Sequence, residues 1–433
     1  MKKRVVCTLA LASLLVGALT ACDNGKKESY DYEIKVWAAE AANEITKSQA
    51  QAWADSIAEA TKSEEDEDGV KIKVTVQAVG EADAASNMIT DVDAGADIFC
   101  FAQDQLARLK SAGALSEIVD ANLKAKIIAE NDEAAVSAAM VGDALVAYPI
   151  TADNGYFMYY DKSVFPDVSV LDNLDSLIAH CEAAGKKIYF ECESSAWYNA
   201  SFFMALGCTS IWKTNKAGLF YDYEDNYNSP EGRLALKEAY KLLSSPSFIN
   251  SSKCTEAFTA GPDGIRSAAV CVSGTWDYST AQIALGENLG ATDLPSVTVN
   301  GEEHHLGSFA GCKLLGVKPQ TDPIKAAYAN SLAQALSSKE AQIGRFNELG
   351  WGPANKEAQD TDEVKSNVAQ IAIANQNKYA IPQGQYPGDW WTSAKAIFQS
   401  LKTSKGTDAE IAKILKTYNA TIDSYVNGEP DAE

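Results

Sequence analysis

The stretch "ADIFCFAQDQLARLKSAG", residues 96–113, decides the fold class. Its first part, 96–102, is a short apolar run of the kind that forms a buried strand. Its second part, 104–113, has the spacing of a helix and ends at Gly113, a residue type common just after a helix. A buried strand followed directly by a helix is typical of an α/β protein.

The same alternation continues on both sides of this stretch. Strand patterns occur at 33–37, 70–79, 144–150, 155–160, 186–192, 267–274 and 313–319. Helical patterns occur at 41–60, 173–184, 232–244, 277–288, 324–336, 338–348, 361–376, 391–402 and 408–426. Strands that alternate with helices predict an α/β architecture with largely parallel sheets. A body of about 400 residues exceeds a single core, so we expect two lobes.

The amino terminus carries a targeting segment. It opens with "MKKR" and continues with an apolar run to about Leu19, too short to span a membrane comfortably. The run ends in "LTAC" (19–22), which resembles the lipobox of a bacterial lipoprotein signal peptide. The resemblance implies a signal peptide at 1–21, a lipid anchor on Cys22 and a flexible tether at 22–31. An ordinary secretory signal, with the cysteine there by chance, is the alternative.

The net charge and the cysteines limit the binding partners and the metal sites to be expected. A formal net charge of −22 disfavours binding to nucleic acid and to anionic lipid. Seven of the nine cysteines lie beyond Cys22, widely spaced and without a Cys-x-x-Cys motif, so no zinc site is predicted. They are either small buried side chains or disulfide partners that the sequence does not reveal.

Sequence motifs of common enzymes are missing. The three histidines form no His-Glu-x-x-His motif, and the chain has no Gly-x-Ser-x-Gly, no phosphate-binding loop and no dinucleotide-binding glycine pattern. We therefore predict a protein that is not an enzyme and needs no cofactor or metal.

Aromatic residues beside carboxylates and amides recur near the ends of predicted strands. In α/β folds the ligand crevice lies at the carboxyl ends of strands. An aromatic face stacks on the C–H face of a sugar ring, while a neighbouring carboxylate accepts its hydroxyls. The residues in question are Glu40, Phe101, Asp104, Asp153, Trp197, Trp276, Tyr278, Trp390 and Trp391.

Each of these residues also has a structural interpretation. A single tryptophan at a strand end is often part of the core, and Asp104 suits the N-cap of the helix that follows it. Trp390 and Trp391 differ from the others, because adjacent residues on a helix do not share a face. At least one of the two is therefore expected to be exposed or to line a cleft.

Several longer segments, in order, resemble one family. They are "GADIFCFAQDQLARLKSAGALSEI" (95–118), "ALVAYPITADNGYFMYYDKSVF" (144–165), "SAAVCVSGTWDYS" (267–279), "GSFAGCKLLGVKP" (307–319), "NELGWGPANKEA" (347–358) and "IPQGQYPGDWWTSAKAIF" (381–398). Together they resemble the maltose-type, family 1 extracellular solute-binding proteins of ABC importers. The resemblance implies a two-lobed periplasmic-binding-protein fold of type II with a ligand cleft between the lobes. It also implies lobe one at 32–151 plus 311–354 and lobe two at 155–308 plus 357–433.

The resemblance also assigns residues to the cleft. Trp276 and Trp391 match two stacking tryptophans of the family, and Trp197 takes the place of a stacking tyrosine. Phe101 takes the place of an aromatic after the third strand, and Asp104 matches the carboxylate that follows it.

The polar contacts of the first lobe depart from the family pattern. Asp153 matches a glutamate near the hinge but is one methylene shorter, and Gln105 replaces an arginine. The segment "WAAEAANE" (37–44) lacks the Asp-Lys pair of the family, leaving Glu40 and Asn43 as substitutes.

The function implied is capture of an oligosaccharide, an α-glucan of the maltooligosaccharide type, and delivery to an ABC permease. The protein is expected to be a monomer anchored outside the cytoplasm, with no nucleic-acid partner. The alternatives are a binder of xylo-, fructo- or galacto-oligosaccharides or of a non-sugar, a surface enzyme that degrades glycans, and an adhesion or scaffold lipoprotein.

Overall fold

The computed structural model describes residues 29–431. The predicted signal peptide, the lipobox and Cys22 lie outside the described residues. Within the described range, no helix combines the length and the apolar character needed to cross a bilayer.

The strands, in chain order, are β1 (Tyr32–Ala38), β2 (Ile72–Ala78), β3 (Ile98–Ala102), β4 (Met140–Val141), β5 (Ala144–Leu145), β6 (Tyr148–Pro149), β7 (Phe157–Asp161), β8 (Lys187–Tyr189), β9 (Ser210–Thr214), β10 (Phe220–Asp225), β11 (Phe248–Ile249), β12 (Ala268–Ser273), β13 (Leu289–Thr292), β14 (Ser296–Val299), β15 (Glu302–His305), β16 (Ser308–Ala310), β17 (Lys313–Val317) and β18 (Ala380–Pro382).

The α-helices are α1 (Asn43–Thr61), α2 (Glu81–Thr90), α3 (Leu106–Ser111), α4 (Ala121–Glu130), α5 (Glu133–Ala138), α6 (Leu174–Ala184), α7 (Ala196–Ala205), α8 (Pro230–Ser244), α9 (Cys254–Phe258), α10 (Tyr278–Leu285), α11 (Pro323–Leu336), α12 (Lys339–Leu349), α13 (Lys356–Gln359), α14 (Asp362–Ser366), α15 (Val368–Gln376), α16 (Gly388–Thr403) and α17 (Asp408–Ile422).

Two five-stranded sheets organise the chain. One has the order β2-β1-β3-β17-β6, and the other has the order β11-β8-β12-β7-β13. Each has its own buried apolar core, built around Phe99 and Leu314 in the first and around Phe202 and Val270 in the second. We call the first sheet with its packed helices lobe one and the second lobe two. The predicted two-lobed α/β fold is confirmed.

The prediction of largely parallel sheets is wrong, because both sheets are mixed. In lobe one, β1 runs parallel to β2 and β3, whereas β17 runs antiparallel to β3 and β6. In lobe two, β12 runs parallel to β8, and β7 runs antiparallel to β12 and β13. The reason lies in the connections: β7 and β17 each begin just after the chain has crossed between the lobes, so they enter their sheets from the cleft edge.

The register fixes which residues meet at that edge. Lys313, the first residue of β17, lies opposite Ala102, the last residue of β3. Phe157, the first residue of β7, lies opposite Ser273, the last residue of β12. The cleft edge of each sheet is therefore formed by the carboxyl ends of outgoing strands and the start of a returning one.

The crossing segments form a thin hydrogen-bonded layer between the lobes. Thr151 pairs with Pro353 as an isolated β-bridge. Asn154 N donates to Gly311 O at 3.0 Å, and β16 pairs in parallel with β18. Several chain passages thus link the lobes through main-chain contacts, and most of the residues in these passages are buried.

Most helix boundaries follow from local sequence. Ser229 caps α8 by accepting Gly232 N, with Pro230 at the first helical position. The pair Thr407 and Glu410 forms a capping box at the start of α17. Gly185 ends α6 with φ +63°, a left-handed conformation that favours glycine.

All seven cysteines of the described chain are buried free thiols. The question that the sequence left open is thereby answered for this structure, in favour of small buried side chains. They are Cys100, Cys181, Cys192, Cys208, Cys254, Cys271 and Cys312.

Candidate functional site

A cavity of about 420 Å³ lies between the two lobes, on one face of the crossing layer. Its volume falls in the range of typical small-molecule sites. Its wall combines three indoles with charged and amide side chains. The lining residues are Glu81, Ala102, Asp104, Gln105, Asn154, Trp197, Trp276, Lys313, Gln383 and Trp391.

The three indoles come from three separate segments of the chain. Trp197 lies in the first turn of α7, Trp276 in the 3₁₀ turn Thr275–Asp277, and Trp391 in the first turn of α16. All three are half-buried. The rings of Trp197 and Trp276 have centroids 5.9 Å apart and planes inclined by 46°. Together they offer a broad aromatic surface to the cavity.

Neighbouring groups fix the orientation of these rings. Trp197 Nε1 donates to Gln383 Oε1 at 3.2 Å. The ring of Trp276 lies against Gly274, where an added Cβ would come within 2.0 Å of the indole. Glycine at 274 therefore allows the indole to lie flat against the backbone. Among the described residues, the buried Nε1 of Trp391 has no acceptor.

Lobe one contributes a buried carboxyl group, Asp104. Gln105 Nε2 donates to Asp104 Oδ2, and Arg108 Nη1 donates to Gln105 Oε1 at 2.7 Å. Burial raises the pKa of Asp104 to about 7, against the opposing effect of the Gln105 hydrogen bond. Its protonated form is therefore accessible near neutral pH, and a protonated carboxyl can donate as well as accept a hydrogen bond.

An ion pair forms another part of the wall. Lys313 Nζ lies 2.8 Å from Glu81 Oε1. Burial acts to raise the pKa of Glu81 and to lower that of Lys313. The mutual attraction outweighs burial, so the pKa of Glu81 is lowered and that of Lys313 is raised. Both groups are therefore charged at neutral pH.

The lobes touch on either side of the cavity. On one side, Gln385 Oε1 accepts Ala107 N at 2.8 Å and its Nε2 donates to Gln103 O at 2.7 Å. On the other side, Ser279 Oγ donates to Glu348 O at 3.0 Å. The two lobes are thus in direct contact in this structure.

Comparison with known proteins identifies the family. The model of the family described as "Bacterial extracellular solute-binding protein" matches residues 52–372. The chain belongs to this family of extracellular solute-binding proteins. No curated protein sequence matches it significantly.

Solved structures agree on the fold of this solute-binding protein. One, solved with acarbose, is 25% identical with a TM-score of 0.76, and the match covers 91% of this chain and 99% of that one. The maltodextrin-binding protein MalE1 of L. casei BL23 is 19% identical with a TM-score of 0.71, covering 92% and 99%. The maltose-maltodextrin binding protein of Alicyclobacillus acidocaldarius is 18% identical with a TM-score of 0.70, covering 89% and 100%.

Family membership confirms two predictions and sets the location. The protein is a solute-binding protein rather than an enzyme, and it acts outside the cytoplasm. In the described part of the chain, no three His, Cys, Asp or Glu side chains are placed to hold a metal ion together.

The structure brings four of the predicted site residues together. Trp197, Trp276, Trp391 and Asp104 all line the cavity. Their contact with a sugar stays a prediction. The N-cap interpretation of Asp104 does not apply, because the 3₁₀ turn Gln103–Gln105 has no side-chain cap and contains Asp104 itself.

Two predicted aromatics of the solute-binding protein belong to the core instead, so their assignment to the cleft is wrong. Phe101 is fully buried and packs against Phe99 with centroids 5.6 Å apart, because β3 is covered on both faces. Trp390 is also fully buried, and its Nε1 donates to Tyr418 Oη at 2.9 Å.

The remaining predicted residues do not line the cavity. Asp153 accepts hydrogen bonds from Thr275 Oγ1 and Gly352 N, so it ties the crossing segments together. Glu40 is exposed on the 3₁₀ turn that precedes α1, and Asn43 is buried at the start of α1. Tyr278 is half-buried and packs at the side of the core of lobe two.

Sequence reasoning missed Glu81, Lys313 and Gln383. Glu81 and Lys313 each begin an element that follows a turn or a crossing, at the cleft edge of lobe one. The one available signal is that each residue begins an element near the cleft edge. Nothing in the local sequence shows that they pair, since they are 232 positions apart in the chain.

Proposed function

We propose that this solute-binding protein captures a neutral oligosaccharide, of the maltodextrin type, between its lobes and presents it to an ABC permease. The observation that carries the proposal is the convergence of Trp197, Trp276 and Trp391 on one cavity that also holds carboxyl groups. That combination suits a sugar ring, which has an apolar C–H face and a rim of hydroxyls. The solved relatives described as maltodextrin-binding, or solved with acarbose, favour an α-glucan over other sugars.

The energetics are adequate for capture. A hydrogen bond to a charged group contributes about 1.5–3 kcal/mol net. A few such bonds, added to stacking on the indoles, reach micromolar affinity, which corresponds to about −8 kcal/mol. Capture requires no bond in the sugar to break.

The capture step couples binding to lobe closure. The sugar first rests on the three indoles of lobe two, and lobe one then adds Asp104, Gln105 and the Glu81–Lys313 pair. A ligand favours the closed form only by its higher affinity for that form. Groups from both lobes line this cavity, so the closed form offers contacts that neither lobe offers alone. In this proposal lobe one comprises residues 32–151 plus 311–354, and lobe two comprises residues 155–308 plus 357–433.

Delivery depends on the amino terminus in this proposal. A lipid on Cys22 would hold the protein at the membrane surface on the tether 22–31. Tethering raises the effective concentration of the loaded protein near the permease. In this proposal the protein acts as a monomer.

Isothermal titration with a panel of oligosaccharides tests the proposal. The panel contains maltotriose, maltotetraose, acarbose, xylotriose, a fructotriose and a galactotriose. We expect micromolar or tighter binding of the α-glucans, one sugar per chain, with no product after overnight incubation. If only another sugar class binds, the ligand is that sugar and not an α-glucan. Turnover of a sugar would indicate an enzyme. No heat with any member of the panel would contradict sugar capture.

A further inference from the structure

The polar wall of lobe one is built from residues distant in sequence. Glu40 and Asn43, near the first strand, do not line the cavity. Beside the Asp104 carboxyl, this wall carries an ion pair between Glu81, at the start of α2, and Lys313, at the start of β17. The pairing of β17 with β3 places Lys313 opposite Ala102, at the rim of the cavity.

The ammonium group of Lys313 also connects the two lobes. Its Nζ lies 4.0 Å from the ring centroid of Trp351 in lobe one. It lies 5.5 Å from the ring centroid of Trp276, one of the indoles of lobe two. A cation over an indole face is attracted by the negative charge of the ring face. The ammonium therefore lies beside the aromatic surface on which a sugar ring would rest.

The hydrogen-bonding capacity of this ammonium is not filled. Lys313 is 8% exposed, and in the described part of the chain Glu81 is the one ion-pair or hydrogen-bond partner of its ammonium group. An ammonium group carries three N–H donors. A buried donor without an acceptor is unfavourable, so the site favours a ligand that supplies an oxygen. Glu81 is only partly buried and keeps a second carboxylate oxygen for a ligand.

We propose that the Glu81–Lys313 pair is the specificity-determining element of the cavity and recognises two neighbouring hydroxyls of the sugar ring stacked on Trp276. One hydroxyl donates to the Glu81 carboxylate, and the adjacent hydroxyl accepts from the Lys313 ammonium. The inference rests on the proposed function and names the feature of the sugar that is read, a vicinal diol.

The charge balance selects neutral rings. The pair is neutral overall, and its two charges compensate each other before a ligand arrives. A carboxylate or amino substituent on the sugar would attract one member of the pair and repel the other, while losing its own hydration. Acidic sugars and amino sugars are therefore rejected at this position.

The pair could instead only join α2 to β17, and its substitution would then weaken binding of maltotriose and of its deoxy analogues equally. A double-mutant cycle that combines protein variants with deoxy sugars separates this structural role from sugar recognition. The variants are Lys313→Met, which keeps length without charge, and Glu81→Gln. The control is Lys325→Met, which removes a second ion pair of lobe one, to Asp97 at 3.0 Å, away from the cavity. The probes are maltotriose and maltotriose analogues that lack one 2- or 3-hydroxyl.

We expect wild-type protein and the Lys325→Met control to bind at least one deoxy analogue about tenfold more weakly than maltotriose. In Lys313→Met the penalty for the hydroxyl that accepts from the ammonium disappears, and in Glu81→Gln the penalty for the adjacent hydroxyl falls, because each variant removes one of the two charged reading groups. The same deoxy penalty in the variants as in the wild type overturns the inference, whatever their thermal stability. If Lys313→Met does not fold, Glu81→Gln alone decides, since it keeps the size and shape of the side chain at position 81.

Failure of the proposed function gives a different result. If the wild type binds another sugar of the panel instead of maltotriose, the cycle is run with deoxy analogues of that sugar, and the same outcomes apply. If the wild type binds no sugar, both the proposed function and this inference are contradicted.

Discussion

Trp390 and Trp391 are consecutive on α16 and their ring centroids lie 4.8 Å apart, but the two side chains have different surroundings. Trp390 is fully buried and donates to Tyr418 Oη at 2.9 Å, whereas Trp391 is half-buried and lines the cavity. Adjacent helical residues point about 100° apart, so one helix start supplies both a core anchor and a wall of the site.

This relationship predicts a separation of stability and affinity. Trp391→Ala should weaken maltotriose binding at least tenfold, about 1.4 kcal/mol, and should destabilise the fold less than Trp390→Ala, because the Trp391 ring is only half-buried. Trp390→Ala should lower the free energy of unfolding by about 3–5 kcal/mol, because it leaves a large cavity in the core. Titration calorimetry and chemical denaturation measure the two effects. Equal affinity of wild type and Trp391→Ala would show that this ring does not contact the sugar.

Gly274 should matter for binding although it bears no side chain. In Gly274→Ala the new Cβ would come within 2.0 Å of the Trp276 ring, so the indole must move. We expect a loss of maltotriose affinity similar to that of Trp276→Ala, at least tenfold. Gly80→Ala is the control, because its Cβ meets nothing within 4 Å. Unchanged affinity in Gly274→Ala would mean that the position of Trp276 is unimportant.

Asp104 should make stability depend on pH. Burial raises its pKa to about 7 in the folded protein, while an unfolded aspartate titrates near about 3.9. At pH values between these two pKa values, the carboxyl group binds a proton when the protein folds. The contribution of Asp104 to the free energy of unfolding therefore falls as pH rises from about 4 to about 7.

Asp104→Asn should remove that loss. The variant should match the wild type most closely at pH 4 and exceed it by a few kcal/mol at pH 8, since one pKa unit corresponds to about 1.36 kcal/mol. Denaturation curves at pH 4, 6 and 8 measure the difference, with the exposed Asp389→Asn as the charge control. A difference that does not change with pH would contradict the raised pKa.

Gln385 should favour the closed arrangement of the lobes. Its side chain bonds to Ala107 N and Gln103 O across the lobes, and each neutral hydrogen bond contributes about 0.5–1.5 kcal/mol. Gln385→Ala should weaken maltotriose binding about tenfold and increase the radius of gyration of the unliganded protein in X-ray scattering. Gln282→Ala, which loses a bond within lobe two only, is the control. An unchanged radius and affinity would assign no closing role to Gln385.

The sequence predicts the local elements better than their assembly. The strand pattern at 313–319 corresponds to β17, but its antiparallel direction depends on where the crossing chain enters the sheet. The helical pattern at 361–376 is divided into α14 and α15, because Asn367 ends the first helix and caps the second. Asn is a strong N-cap residue, so a new start there is locally favourable.

In the candidate site, too, the features set by local sequence are predicted and those set by the assembly of the sheets are not. Trp276 and Trp391 are predicted from the carboxylates beside them and from the family resemblance, whereas the burial of Phe101 depends on β3 being covered on both faces. Glu81 and Lys313 were missed because their 2.8 Å contact joins the starts of two elements that only the completed sheet brings together.

A crystal structure of the protein with maltotriose tests the central claim most directly. The account predicts the sugar between the lobes, with rings stacked on Trp197, Trp276 and Trp391 and adjacent hydroxyls of the ring on Trp276 within hydrogen-bond distance of Glu81 and Lys313. A sugar bound elsewhere, or a cavity in which those three indoles touch no ring, would contradict it.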